Sequence, residues 1–407
     1  MNDASQPRKA RGKMLPAGIA ATALIALLAF APFASAAPDP VASGSTTITL
    51  DGKFTKYLKT FGITVQKISP TKLKGKAATL TVTGGTLDPL TGLGEVTLGG
   101  GLKFKAGKKT APIKGLVLNT TKKSLTGKVA GKQMKVATVA GWSFARNGFG
   151  VNLTVKKLKL TGSAASALNK KTGYKKGKPK PFISGKLMGK SSSATQPSTV
   201  VVLPGGSATL ALSVSALGKL AKVGPEECLC SGATKQPFKV NLAPVAPTQV
   251  VSLSPVTAAF PISGGTMGPT GIAGTLQTAG GLTLTQKLDY PGVEKGVTTL
   301  TMGNIYVDMA TKQATVEVSI TNPKVPEANL GNLGRASIAD LVIGTVTADP
   351  NTRTVSVTNA AATLQAVTAE TLNSVFIKPL EGTFGPDDVQ FAAGDPLGLF
   401  SFTAQTQ

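Results

Sequence analysis

The chain has 407 residues, 41% of them hydrophobic and 15% charged, with 44 Lys and Arg against 19 Asp and Glu. So apolar a composition excludes a disordered chain, and 47 glycines and 26 prolines among many Thr and Val favour strands and turns over long helices. With no histidine, Ser-His-Asp and His-Cys catalysis and any His-bearing zinc or iron site are excluded, and two cysteines are too few for a structural zinc site or an iron–sulfur cluster.

The first segment has the form of an export signal. Arg8, Lys9, Arg11 and Lys13 precede the apolar run Ile19–Phe30, and Ala34-Ser35-Ala36 supplies a small-x-small cleavage site. The run is short for a membrane span of ~20 residues. Residues 1–36 are therefore expected to be removed, leaving a mature chain that begins near Ala37 outside the cytoplasm, with no transmembrane segment.

Charge divides the remainder sharply. Residues 45–197 carry 29 basic side chains against only Asp51, Asp88 and Glu95, whereas residues 198–407 carry 11 basic against 14 acidic. A polycationic half joined to a near-neutral one fits an anionic partner outside the cell, such as a wall polymer or lipid head groups. A solvated basic surface is the plainer alternative.

Beneath the charge difference lies a repeat. Ser45–Gly62 aligns without gaps on Ser207–Gly224, and Thr81–Leu102 on Pro261–Leu282, with eight identities that include Gly84-Gly85-Thr86 and Gly100-Gly101-Leu102. Val151–Asn169 aligns on Val355–Asn373, and Pro181–Gln196 on Gln390–Gln405. Four colinear blocks imply two copies of one domain, residues 45–197 and 207–407, joined by the linker 198–206.

Each copy is expected to open with a short alternating strand (Ile48 and Leu50; Leu210 and Leu212) and a helix of about two turns. In the first copy Asp51 is placed to cap that helix and Gly62 to end it. Strands with Gly-rich turns follow, including hairpins at Asn147-Gly148 and Asp349-Pro350-Asn351. A second short helix is expected at Ser163–Lys170 and Thr368–Ser374. The fold class is thus mainly antiparallel β with two short helices per domain, in two tandem copies.

The second copy carries an insertion, 225–239, with Cys228-Leu229-Cys230. Outside the cell two thiols tend to oxidise, and a ring this small is strained. A surface staple, a redox switch and a soft-metal clip are all open readings of the pair.

The helix of the first copy carries a family likeness. Asp51-Gly52-Lys53-Phe54-Thr55-Lys56-Tyr57-Leu58 resembles the opening helix of the HtaA-type haem-binding domain, with its Phe-x-x-Tyr-hydrophobic core. The run Gly84–Gly94, followed by Gly100-Gly101-Leu102, resembles the same domain's turn and paired strands. The likeness extends over both copies. It implies exported actinobacterial proteins that bind haemin at the cell envelope for iron uptake, on a β-rich fold with two helices. A helix tyrosine ligates the iron in that family, and a histidine hydrogen-bonds it. Tyr57 falls on the ligand position, with Phe54 and Lys53 beside it, and the cofactor implied is haem b. The supporting histidine has no counterpart, and Ile48 stands in the region of a tryptophan that often precedes the helix. In the second copy Lys219 stands at the Tyr57 position and Ala216 at that of Phe54, so that copy is expected to lack the ligand.

Chemistry independent of the likeness agrees in part. Phenolate is an established axial ligand of ferric haem, and Lys53, Lys56 and Lys59 would favour the ionised phenol or receive propionates. Yet Phe54, Tyr57, Leu58 and Phe61 recur at helical spacing, which is also the pattern of a core-facing stripe with a tyrosine at its rim. Met134 and Met188 are weak donors that nothing in the sequence brings close.

Other signals fail. Ser69-Pro70-Thr71-Lys72 and Lys171-Thr172-Gly173 mimic penicillin-binding motifs without the Ser-Asx-Asn element. No glycine cluster has nucleotide-binding spacing, and the few acids of the first copy argue against paired-carboxylate hydrolysis. The basic run Lys170–Lys180 lacks the aromatics of a single-strand nucleic-acid site. A non-enzymatic, exported haemin-binding protein is the first expectation. A wall-associated, polyanion-binding protein that keeps the fold without the cofactor is the second.

Overall fold

The computed structural model of the chain describes residues 38–174, 177–221, 239–288, 296–324, 329–377 and 391–407. The export signal lies outside the described residues, as do Cys228 and Cys230 and nearly all of the insertion that carries them.

In the first half the elements are β1 (Asp39–Leu50), α1 (Gly52–Lys59), β2 (Ile63–Ile68), β3 (Lys72–Lys74), β4 (Ala77–Leu87) and β5 (Gly94–Ala106). They continue with β6 (Lys109–Asn119), β7 (Ser124–Val129), β8 (Lys132–Asn147), β9 (Gly150–Leu160), α2 (Gly162–Thr172) and β10 (Leu187–Pro197). Neighbours pair antiparallel in the order β5-β6-β7-β8-β9-β10-β1-β4, and β4 pairs back onto β5. That last ladder closes the sheet into an eight-stranded barrel. β2 and β3 flank it, on β5 and β4.

The second half begins with β11 (Val200–Val201), β12 (Ser207–Leu212), α3 (Val214–Ala221), β13 (Val240–Val245), β14 (Gln249–Leu253), β15 (Val256–Met267) and β16 (Gly274–Thr278). It continues with β17 (Gly281–Leu288), β18 (Gly296–Asp308), β19 (Gln313–Thr321), β20 (Gly331–Val342), β21 (Thr345–Asp349), β22 (Thr354–Leu364), α4 (Ala366–Phe376) and β23 (Pro396–Gln405). Here β16-β18-β19-β20-β22-β23-β12-β15 close through the β15–β16 ladder.

The two barrels agree in register as well as in order. Thr46 lies opposite Leu80 on β4 and Ser193 on β10. Ala208, its counterpart by alignment, lies opposite Phe260 and Phe402, the aligned counterparts of those two residues. Because a one-residue slip would turn every side chain to the other face, matched register places equivalent residues on the same side of each wall. Alternation then builds each core: in β4, Ala78, Leu80 and Val82 face inward, and in β15 Ala258, Phe260 and Ile262 do so.

The repeated Gly-Gly-Leu has a steric cause. Gly100 has φ +85°, and a Cβ there would stand 2.3 Å from Thr71 Oγ1, which accepts the Gly101 N–H. Gly280 repeats the close approach, at φ +79° and 2.4 Å from Thr248 Oγ1. Only glycine combines that φ with so close an approach.

Sequence and structure differ at the edges of each half. β1 starts at Asp39, ahead of residue 45, and the stretch 198–206 contributes β11 to the second sheet. The expected hairpins form at β8–β9 and β21–β22. Ser69 sits in the turn between β2 and β3, away from any helix start, so it has no catalytic setting of the penicillin-binding kind.

Candidate functional site

Helix α1 starts where Asp51, in extended conformation, accepts a 2.9 Å hydrogen bond from Phe54 N. The helix turns Phe54 and Leu58 into the barrel, where they are 7% and 0% exposed. Tyr57 stays at the rim, 36% exposed, with its ring edge-on to Phe61 at 5.1 Å between centroids. The helical stripe therefore divides: two members are core, and the phenol faces outward beside a groove.

The opposite wall depends on α2. This helix is capped by Thr161 at its start and by Gly173, in the left-handed conformation at φ 83°, at its end. Buried Asn169 clamps the loop before β10: its Nδ2 donates to Phe182 O at 2.8 Å, and Phe182 N donates to its Oδ1 at 3.0 Å. Phe182 is thereby held against Phe54 and Phe104, at centroid distances of 6.4 and 5.1 Å. With Phe182 pinned inward, its neighbours Pro181 and Ile183 line the groove, and the Lys180 carbonyl oxygen accepts Tyr57 Oη–H at 3.1 Å.

The groove has a volume of about 500 Å³, within the ~300–1,000 Å³ typical of small-molecule sites. Phe54, Pro181, Ile183 and Leu187 give it apolar surface, and Tyr57 stands on its wall. Lys53 and Lys186 line it as cations, with Asp51, the helix cap, as its acid. It thus joins an oxygen donor and an apolar surface to two ammonium groups, a set suited to an apolar anion.

The structure brings Lys53, Phe54 and Tyr57 together in this groove. It does not bring Lys56, Lys59, Met134 or Met188 there: the two lysines are exposed on α1, and Met188 is buried in the core. Reading the sequence missed Lys186 and the Asn169 clamp. Both left a signal in the aligned blocks, where Lys186 falls opposite Asp395 and Asn169 opposite Asn373.

The second half repeats the scaffold with other chemistry. Ser213 Oγ accepts from Ala216 N at 2.9 Å, as Asp51 does from Phe54. Asn373 clamps Phe391 through the same two bonds, at 2.8 and 2.9 Å. At the Tyr57 position Lys219 forms an ion pair with Asp395, which stands at the Lys186 position.

Among the described residues no group of three His, Cys, Asp or Glu is placed to hold a metal ion. No helix among them is long and apolar enough to cross a membrane.

A scan against protein-family models gives no match, and a search of curated proteins gives none either. Among solved structures the chain is similar to the C-terminal domain of HtaA from Corynebacterium glutamicum, at 12% identity and a TM-score of 0.31. That likeness covers 39% of this chain and 98% of that one. It is also similar to the heme-binding protein HtaB from Corynebacterium glutamicum, at 16% identity and a TM-score of 0.29, over 51% of this chain and 96% of that one.

Proposed function

We propose that the first half of the chain is an exported haemin-binding module of the cell envelope, in which Tyr57 would be the ligand to iron. The observation that carries this reading is Tyr57 at the wall of a groove that also holds Phe54, Lys53 and Lys186. The donor set fits the group: a phenol oxygen for ferric iron, apolar side chains for a porphyrin face, and two ammonium groups for its propionates. Haemin when bound supplies ferric iron, which favours an anionic oxygen ligand.

The protein's own part is to present that oxygen. In the structure Tyr57 Oη holds its proton toward Lys180 O, so ligation requires that proton to leave and the hydrogen bond to break. With no histidine in the chain, that proton would pass to water at the exposed rim. In the second half the Lys219–Asp395 pair takes the place of the phenol, which supports a structural or docking role for that half in place of iron ligation. Binding, without catalysis, is the activity proposed.

The test is an absorbance titration of the mature chain and of Tyr57→Phe with haemin. Wild type should give a saturable Soret change, and Tyr57→Phe a weaker and spectrally different one. Indistinguishable spectra and affinities would remove the ligand assignment.

A second reading draws on the charge partition alone. With 29 basic against three acidic residues in 45–197, the first half would bind an anionic wall polymer or anionic lipid head groups without cofactor. Retention of the mature chain on an anionic polymer, lost as salt shortens the screening length below about 5 Å, together with no Soret change, would favour it.

A further inference from the structure

The cores of the two barrels differ at two of three matched positions. In the first, Phe104 meets Phe54 and Phe182 edge to face, with Phe54–Phe104 centroids 6.4 Å apart, and the three rings fill the space beneath α1. Alignment sets Ala216, Leu284 and Phe391 in their places. Exchanging Phe for Ala and Phe for Leu removes volume that a close-packed interior does not recover by itself. The second barrel accordingly contains a cavity of about 110 Å³, lined by Leu212, Leu220, Leu284, Met302, Leu372 and Phe391. Helix α3 covers it without burying any side chain fully, whereas α1 buries Phe54 and Leu58.

We infer that this cavity binds the alkyl chain of an uncharged single-chain amphiphile, with the polar head kept at its mouth. The depth of the cavity is apolar, so a hydrogen-bonding group there would go unpaired. Its mouth carries Ser215, Thr368 and the Lys219–Asp395 pair, whose side chains are 24% and 20% exposed. The space therefore runs from buried strand residues to the surface, which suits a molecule with one apolar and one polar end. Its volume is of the order of the ~150 Å³ apolar cavity known to accept benzene, enough for a short run of methylenes. Because the Lys219–Asp395 pair stays formed, the head group carries no net charge. This site is separate from the Tyr57 groove and stands or falls without it.

The probe is 1-hexanol, whose alkyl chain is short enough for the cavity and whose neutrality keeps it off the polycationic first half. Calorimetric titration of the whole mature chain should show saturable one-to-one binding. Ala216→Phe and Leu284→Phe, each restoring the first barrel's residue, should weaken it at least tenfold while the melting temperature holds or rises. Tyr57→Phe should leave it unchanged. On wild-type protein labelled at its methionine methyls, hexanol should shift the Met302 signal, a readout that does not depend on any variant folding. No saturable binding, an unmoved Met302 methyl, or undiminished binding by a folded Ala216→Phe or Leu284→Phe protein would overturn the inference.

Discussion

Tyr57 and Lys180 are joined by a 3.1 Å hydrogen bond from the phenol to a main-chain carbonyl, which ties α1 to the loop that precedes β10. The bond lies at the surface, where water replaces a lost partner at little cost. Tyr57→Phe is therefore expected to change the unfolding free energy by no more than about 1 kcal/mol, measured by denaturant melts. Any loss of haemin binding in that variant then reports on ligation and not on folding.

The Asn169 clamp behaves oppositely. Asn169→Ala leaves Phe182 N and O buried with no side-chain partner in their first half. Two such losses should destabilise the protein by about 2–4 kcal/mol. The Pro181–Ile183 wall should loosen with them, so the same variant is expected to bind haemin more weakly. Asn373→Ala should cost a similar amount in melts and leave haemin binding alone.

Lys53 and Lys186 are the cations of the groove. Replacing both by Ala should raise the Kd for haemin by roughly fivefold, equivalent to about 1 kcal/mol for a partly solvated pair of contacts. The salt dependence of binding should flatten as well, since screening acts on the interaction that has been removed. Lys56→Ala and Lys59→Ala, on α1 but outside the groove, serve as controls with little effect.

Asp39 gives a pH signature. It is 4% exposed, and burial pushes its carboxyl up to about 6, against the opposing pull of the Arg146 guanidinium and the Val201 N–H. The folded state thus holds this proton more tightly than the unfolded chain does. Its stabilising contribution is complete below the ordinary carboxylate value near 3.8 and is lost as pH rises through about 6. Asp39→Asn should abolish this component, so that the fall in melting temperature between pH 4.5 and pH 7.5 is smaller than in wild type.

Local features were legible in the sequence because local chemistry decides them. Asp51 caps α1, Asn147-Gly148 turns a hairpin, and the Gly-Gly-Leu repeat marks a place where no Cβ fits. What the sequence hid depends on long-range pairing. Closure of each barrel rests on β4 meeting β5 and β15 meeting β16 at a register shift, and strand periodicity carries no sign of it. Helical spacing, by contrast, is informative at α1: it puts Tyr57 at the rim of a core-facing stripe, and Phe54 and Leu58 are buried while Tyr57 is exposed. Pro181, Ile183 and Lys186 reach the groove from the far end of the half, beside a clamp in which Asn169 holds Phe182. The alignment sets Lys219 at the tyrosine position, but its pairing with Asp395, 176 residues away, is a product of the fold.

Resonance Raman spectroscopy of the haemin-loaded mature chain tests the central claim most directly. An iron–phenolate vibration present in wild type and absent in Tyr57→Phe is the result predicted. A spectrum without that vibration, or one that Tyr57→Phe leaves unchanged, would contradict the assignment of Tyr57 as the ligand.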